Sequence, residues 1–429
     1  MIDPTEKYWI EKYIEIRSEF DFLNGIPTKL DFQQKLYKYL QPLGIIYGHP
    51  IDLPAELNID TGDWPVKQKL EVIFYESLLA SFLLKNNLKG STEDLKSVSI
   101  QILKFYDKLD LNLSKKSFFE SKAKSDFETL ERVFKKRVNV KAEWNNNFWQ
   151  GFFHNILLFV DVITFIEYLN NPDLSDEDLL NYEKNTHVQI IHMLSTILDI
   201  NKETKDINVK YFHYFVESTI LDKEEKKQAM KWHLKSFDKE FKSSYDKSSW
   251  LKRKYILDLA VLSVWADHSV SLLEEEMLDT LVSRLQLDNI DLEASGFAVE
   301  SFVLDNWNKV HFLQQKQSFL VLSKRITERM KKISAKYSSI IKQEIAEDKE
   351  LVRLLKLSQE RPLSPDEKDK VRRQLVDVLK SIPTFLMLAM PMAFLTVPIL
   401  MRIIPKELFP SSFNPNALSV SRRNRIIEG

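Results

Sequence analysis

The chain has 429 residues, enough for about three domains by length and ample to bury a hydrophobic core. It carries 61 Lys and Arg against 62 Asp and Glu, and the formal net charge of −1 names no partner. It has no cysteine, which excludes disulfides, thiolate catalysis and cysteine-ligated zinc or iron–sulfur sites and agrees with a reducing cytosol.

Only 8 glycines and 15 prolines leave little turn material, so long helices are expected and the fold class reads as all-α. The opening "MIDPTEKYWIEKYIEI" is charged throughout and has no apolar stretch of a secretory leader. The bulk of the chain is therefore expected in the cytoplasm. Residues 67–87 place Leu70, Ile73, Phe74, Leu78 and Leu79 on one stripe, the pattern of a core-facing helix. Residues 147–169 are more apolar still. Asp161 and Glu167 interrupt them, so a buried core helix is expected there rather than a membrane span. Ser175 and Asp178 stand at capping-box spacing and mark the next helix start.

Residues 255–287, "YILDLAVLSVWADHSVSLLEEEMLDTLVSRLQL", read as helix, short acidic turn, helix. Ala266, Asp267, Val270 and Glu274 resemble the turn of the TerB-like family, a helical domain named from tellurite resistance, with His268 where that family has glycine. The resemblance implies an acidic site linked to divalent metal. Two carboxylates fall short of the six or more oxygens that calcium takes, and carboxylates in a first turn also serve a helix start. No metal is assigned.

Phe319, Leu322, Ile326, Met330, Ile333, Tyr337 and Ile340 follow spacings of three and four and predict a heptad seam along one helix. From residue 324 to 342 that helix carries seven Lys or Arg against one Glu. The stripe Lys324, Arg325, Arg329, Lys331, Lys332 and Lys336 reads either as a solvated face or as a contact for phosphate, on anionic lipid or on RNA. No nucleotide-binding, zinc-protease, hydrolase or EF-hand motif occurs, and the eight histidines are scattered. His187 and His192, five apart, fall about 140° from each other on a helix and would not share a metal. The chain therefore reads as non-enzymatic, with no catalytic residue and no cofactor.

From Ser381 to Met401 the chain has no charge. Nine Ile, Leu, Phe or Val between residues 382 and 400 contribute on the order of −4 kcal/mol to membrane insertion. Pro391, Pro398 and Pro405 would free the carbonyls of Met387, Phe394 and Met401, which then need partners from a second helix or a second copy. The run reads as a proline-kinked transmembrane segment, with an apolar hairpin packed in the protein as the alternative.

Leu363 and Ser364, Asp377, Lys380 and the prolines 383, 391, 398 and 405, followed by "FPSSF" at 409–413, resemble the LETM family, leucine-zipper and EF-hand-containing transmembrane proteins. Phe394 stands where that family carries a glutamate inside the span. The layout resembles its bacterial, biofilm-associated type. The resemblance implies placement in a bacterial inner membrane, with ribosome binding and cation homeostasis as family roles. Four regions are expected: a helical N-terminal region over 1–247, a TerB-like helical domain over 248–315, a basic heptad helix over 316–360 and a LETM-like membrane segment over 361–429. The leading reading is a membrane-anchored scaffold. Its partners would be anionic lipid, the ribosome and further copies of itself, and not DNA. A cation/proton exchanger and a soluble helical interaction protein are the alternatives.

Overall fold

A computed structural model describes residues 2–21, 29–109, 125–138, 154–200, 205–231, 245, 248–265, 272–305, 319–383, 400 and 403–405. The described residues are helical, with no strand among them. They divide into two compact units, residues 1–288 and 289–429.

In the first unit the helices are α1 (Trp9–Arg17), α2 (Phe32–Leu40), α3 (Val66–Asn86), α4 (Thr92–Lys108), α5 (Asp126–Arg137) and α6 (Leu158–Asn170). They continue as α7 (Asp176–Ile200), α8 (Lys205–Ser218), α9 (Lys223–Ala229), α10 (Trp250–Trp265) and α11 (Leu272–Arg284). Helix α3 is the hub, packing against α2, α4, α5 and α6. The predicted stripe is fully buried, yet Val72, Tyr75 and Leu83 on other faces are buried too, as befits a helix surrounded by others. Asn87, in the left-handed region at φ 52°, ends it, and the Leu88 N–H returns to the Leu83 carbonyl as in a Schellman turn.

Aromatic side chains join α1, α3 and α5. Trp9 meets Tyr75 edge-on at 5.8 Å between ring centroids, and Phe134 lies 5.5 Å from both Phe74 and Tyr75. Phe134→Ala would open a cavity here and cost about 3–5 kcal/mol. Helix α7 starts where the capping signal places it: Ser175 accepts the Asp178 N–H at 3.1 Å, and its hydroxyl donates to the Asp178 carboxylate at 2.6 Å. Helix α6 is thirteen residues long and buried along most of its length, packed on α3 and α7. Among the described residues no helix is long and apolar enough to cross a membrane.

In the stretch expected to be TerB-like, α10 and α11 flank residues 266–271 and pack together. Ala266, Asp267, His268 and Val270 lie outside the described residues, and Glu274 is placed only as a member of α11.

The second unit holds α12 (Asn289–Asp305), α13 (Phe319–Lys336), α14 (Ser338–Glu347), α15 (Lys349–Glu360) and α16 (Pro365–Lys380). Helix α13 pairs with α12, and α14, α15 and α16 pack on one another as a three-helix cluster. The single heptad helix expected over Phe319–Ile340 is broken. Tyr337 leaves helical geometry at φ −102°, ψ 25°, and α14 begins at Ser338. Ile326, Met330 and Ile333 stay buried, but past the break Ile341 and Ile345 face inward and Ile340 is half-buried. The pair Ser338–Ser339 explains the break, because serine competes with the helix backbone and favours helix ends.

Candidate functional site

The cations of the basic stripe on α13 differ in their surroundings. Arg329 donates to Glu300 of α12 through Nη2 at 3.1 Å, with its Nε 3.0 Å from the other oxygen, and Glu300 is 2% exposed. Gly296 makes room for this pair: a Cβ there would stand 2.7 Å from Arg329 Nη1. Lys336 donates to Glu293 at 2.7 Å. Two of the six predicted cations therefore hold α13 to α12. Lys324, Lys331 and Lys332 are exposed and share a face with Glu328, while the Arg325 side chain lies outside the described residues. Among the described side chains of the stripe, three lysines around one glutamate stand outside these ion pairs.

Beyond it the chain builds the approach to the apolar run. Leu363 is buried, and Ser364 caps α16 by accepting the Glu367 N–H at 3.2 Å while Glu367 accepts the Ser364 N–H at 2.8 Å. Pro365 follows at the first helical position, where its missing N–H costs nothing. Helix α16 turns Val371, Leu375, Val376, Val378 and Leu379 inward. Its outer face is laced with ion pairs: Arg361 to Glu367 at 2.7 Å, Lys370 to Glu350 at 2.9 Å and Lys380 to Asp377 at 2.9 Å. Arg353 and Lys370 hold the Glu350 carboxyl down at about 2, and Arg361 does the same for Glu367.

The helix ends where the run begins. Ser381 donates its hydroxyl to the Val378 carbonyl, and the Ile382 N–H reaches the Leu379 carbonyl. Pro383 and Pro405 are half-buried, whereas Pro391 and Pro398 lie outside the described residues with the rest of 384–399. At the two ends of the run, Ile382, Leu400, Ile403 and Ile404 are buried.

Residues 363–426 match the family model described as LETM1-like, RBD. The carboxyl-terminal segment is LETM-like. The match starts at the buried Leu363 that precedes the Ser364 cap and runs through all four prolines. No curated protein and no solved structure matches the chain.

Sequence reasoning missed three buried ionic clusters in the first unit. Arg17 of α1 donates to Glu76 of α3, which also accepts from the Tyr13 and Tyr39 hydroxyls at 2.7 and 2.6 Å. Lys254 of α10 donates to Asp258 one turn on, and Tyr37 of α2 donates to the same carboxylate at 2.6 Å. Arg137 of α5 grips Asp161 of α6 with Nε and Nη2 at 2.7 and 2.5 Å, and Tyr106 of α4 adds a third donor at 3.0 Å. The clue was an acid inside an apolar helix, "ILLFVDVITF" for Asp161 and "KYILDLAVL" for Asp258. Among the described residues no three His, Asp or Glu side chains converge as ligands for a metal ion.

Proposed function

We propose that the chain is a LETM-like, non-enzymatic scaffold anchored in a bacterial inner membrane by residues 382–400, with its helical units in the cytoplasm. The observation that carries this reading is the overlap of the LETM1-like, RBD match with a run from Ser381 to Met401 that has no charge. A stretch of that length and polarity suits the bilayer core, and neighbouring helices or further copies would satisfy the carbonyls that its prolines free. The phosphate contact is Lys324, Lys331 and Lys332, facing anionic lipid or ribosomal RNA. Ribosome binding and cation homeostasis belong to this reading through the family.

The lysines are tested in the full chain by reversing Lys331 and Lys332 to Glu. Flotation with anionic liposomes and co-sedimentation with ribosomes should both be measured across a salt series. Binding to one of the two should weaken, and its log–log salt slope should flatten by roughly one unit for each phosphate no longer neutralised. Unchanged binding to both at low salt contradicts the phosphate contact. An exchanger would need acidic or polar ligands along its path, and the run offers only Ser381, Thr384, Thr396 and backbone carbonyls. Reconstituted vesicles should therefore show no cation-coupled proton flux. Flux that disappears on Pro391→Ala would favour the exchanger.

One observation favours a second reading. Ile382, Leu400, Ile403 and Ile404 are buried, as the two ends of an apolar hairpin packed within the protein would be. In that case the chain is a soluble helical interaction protein.

A further inference from the structure

Glu183 of α7 has no exposed surface, and neither of its carboxylate oxygens accepts a hydrogen bond. Arg137 Nη2 lies 3.6 Å from its Oε1, but that guanidinium already donates twice to Asp161. Two fully buried carboxylates from adjacent helices thus face one guanidinium that is itself almost wholly buried. Natural proteins rarely leave buried polar atoms unpaired, and two anions at such a site cannot both stay charged at low cost.

Among the described residues, Arg137 is the one cation that acts on Glu183. Tyr106 of α4 donates to Asp161. On α7 itself His187, one turn from Glu183, is fully buried, and burial together with Arg137 holds its pKa well below the ordinary value, so it stays neutral. Its Nδ1 accepts the Ile220 N–H at 3.3 Å, which leaves the proton on Nε2. His154, just before α6, holds its Nε2 3.1 Å from the Arg137 carbonyl. Lys226 and Lys252 act on His187 and are not among the groups acting on Glu183, and Tyr255 of α10 gives its hydroxyl to the Ile156 carbonyl.

We propose that the junction of α5, α6 and α7 is a proton-held latch: Asp161 and Glu183 share the guanidinium of Arg137, one proton stays on Glu183, and its loss loosens α7 from α6. Desolvation, then the Asp161 charge, pushes Glu183 up to about 8 against the pull of Arg137. An acid raised above its unfolded value binds its proton more tightly in the folded state. Its stabilising contribution is complete below about pH 4.5 and is lost as pH rises through about 8. The device would make the first unit respond to alkalinisation.

Hydrogen exchange of the full chain, corrected for intrinsic rates, tests this across pH. Between about pH 7 and about pH 9 the protection of peptides from α6 and α7 should fall about tenfold, while peptides from α15 and α16 hold steady. Glu183→Gln, an isostere of the protonated acid, should abolish that fall. A flat profile in the natural chain, or a Glu183→Gln profile that falls in parallel, overturns the latch. Should Glu183→Gln not fold, infrared difference spectra of the chain decide. Glu71 is another carboxyl pushed into this range, to about 7, so the spectra are taken on Glu71→Gln. A protonated carboxyl band present at neutral pH and bleached toward about pH 9 supports the latch, and its absence refutes it.

Discussion

Asp161 shows what a charge inside a helical core requires. Its carboxylate is wholly buried in α6 and survives there because Arg137 and Tyr106 donate three hydrogen bonds to it. Removing the carboxylate takes away all three of these hydrogen bonds and leaves the buried guanidinium only Glu183, 3.6 Å away and not hydrogen-bonded to it. Asp161→Ala should therefore destabilise the first unit by about 3–5 kcal/mol, read as a lower denaturant midpoint at unchanged slope. A loss below about 1 kcal/mol would mean that the pair contributes little. An acid interrupting an apolar run was enough to place the residue in a core rather than a bilayer. Its partner was not legible, because Arg137 lies 24 residues earlier and meets it only through the packing of α5 on its neighbours. The same holds for Arg17 with Glu76, 59 residues apart.

On α13, Arg329 and Lys331 look alike in the sequence and behave differently in the fold. Arg329 neutralises the buried Glu300, so Arg329→Ala should cost the second unit about 1–3 kcal/mol, whereas Lys331→Ala should stay within about 0.5 kcal/mol. Thermal unfolding of the two variants side by side gives the comparison, and equal effects would remove the distinction. Ile333→Asp places a charge in the buried seam and should disturb this unit whatever the partner.

The cluster of α14, α15 and α16 has an acid-sensitive surface. Glu350 and Glu367 sit at about 2, so their pairs with Lys370, Arg353 and Arg361 stabilise the cluster above about pH 4.5 and fail as pH falls toward 2. Arg361→Ala should flatten part of that acid profile in far-ultraviolet circular dichroism, and an unaltered profile would show that the exposed pairs carry no stability. The cap at Ser175 and the buried stripe of α3 were legible, because they rest on neighbours three or four residues apart. The break at Tyr337 was not, since apolar spacing continues across it and only the inward-facing partners change from Ile340 to Ile341.

At the scale of the molecule, the LETM-like segment was readable because proline spacing in a charge-free run is a local signal. The division at residues 288 and 289 is a different kind of property, set by which helices pack on which. The membrane reading has a topological consequence. Residues 361–380 carry six Lys or Arg against two in 402–421, so the large helical part should face the cytoplasm. Protease added outside sealed spheroplasts should leave residues 1–350 intact, and their digestion would reverse the orientation.

Membrane anchoring rests on residues 382–400 lying in a bilayer. It is tested most directly by washing membranes from cells that make the full chain with alkaline carbonate, beside a chain ending at Lys380. The full chain should stay in the pellet and the shortened one should move to the supernatant. Release of the full chain would contradict it and leave the buried apolar hairpin as the structure of the run.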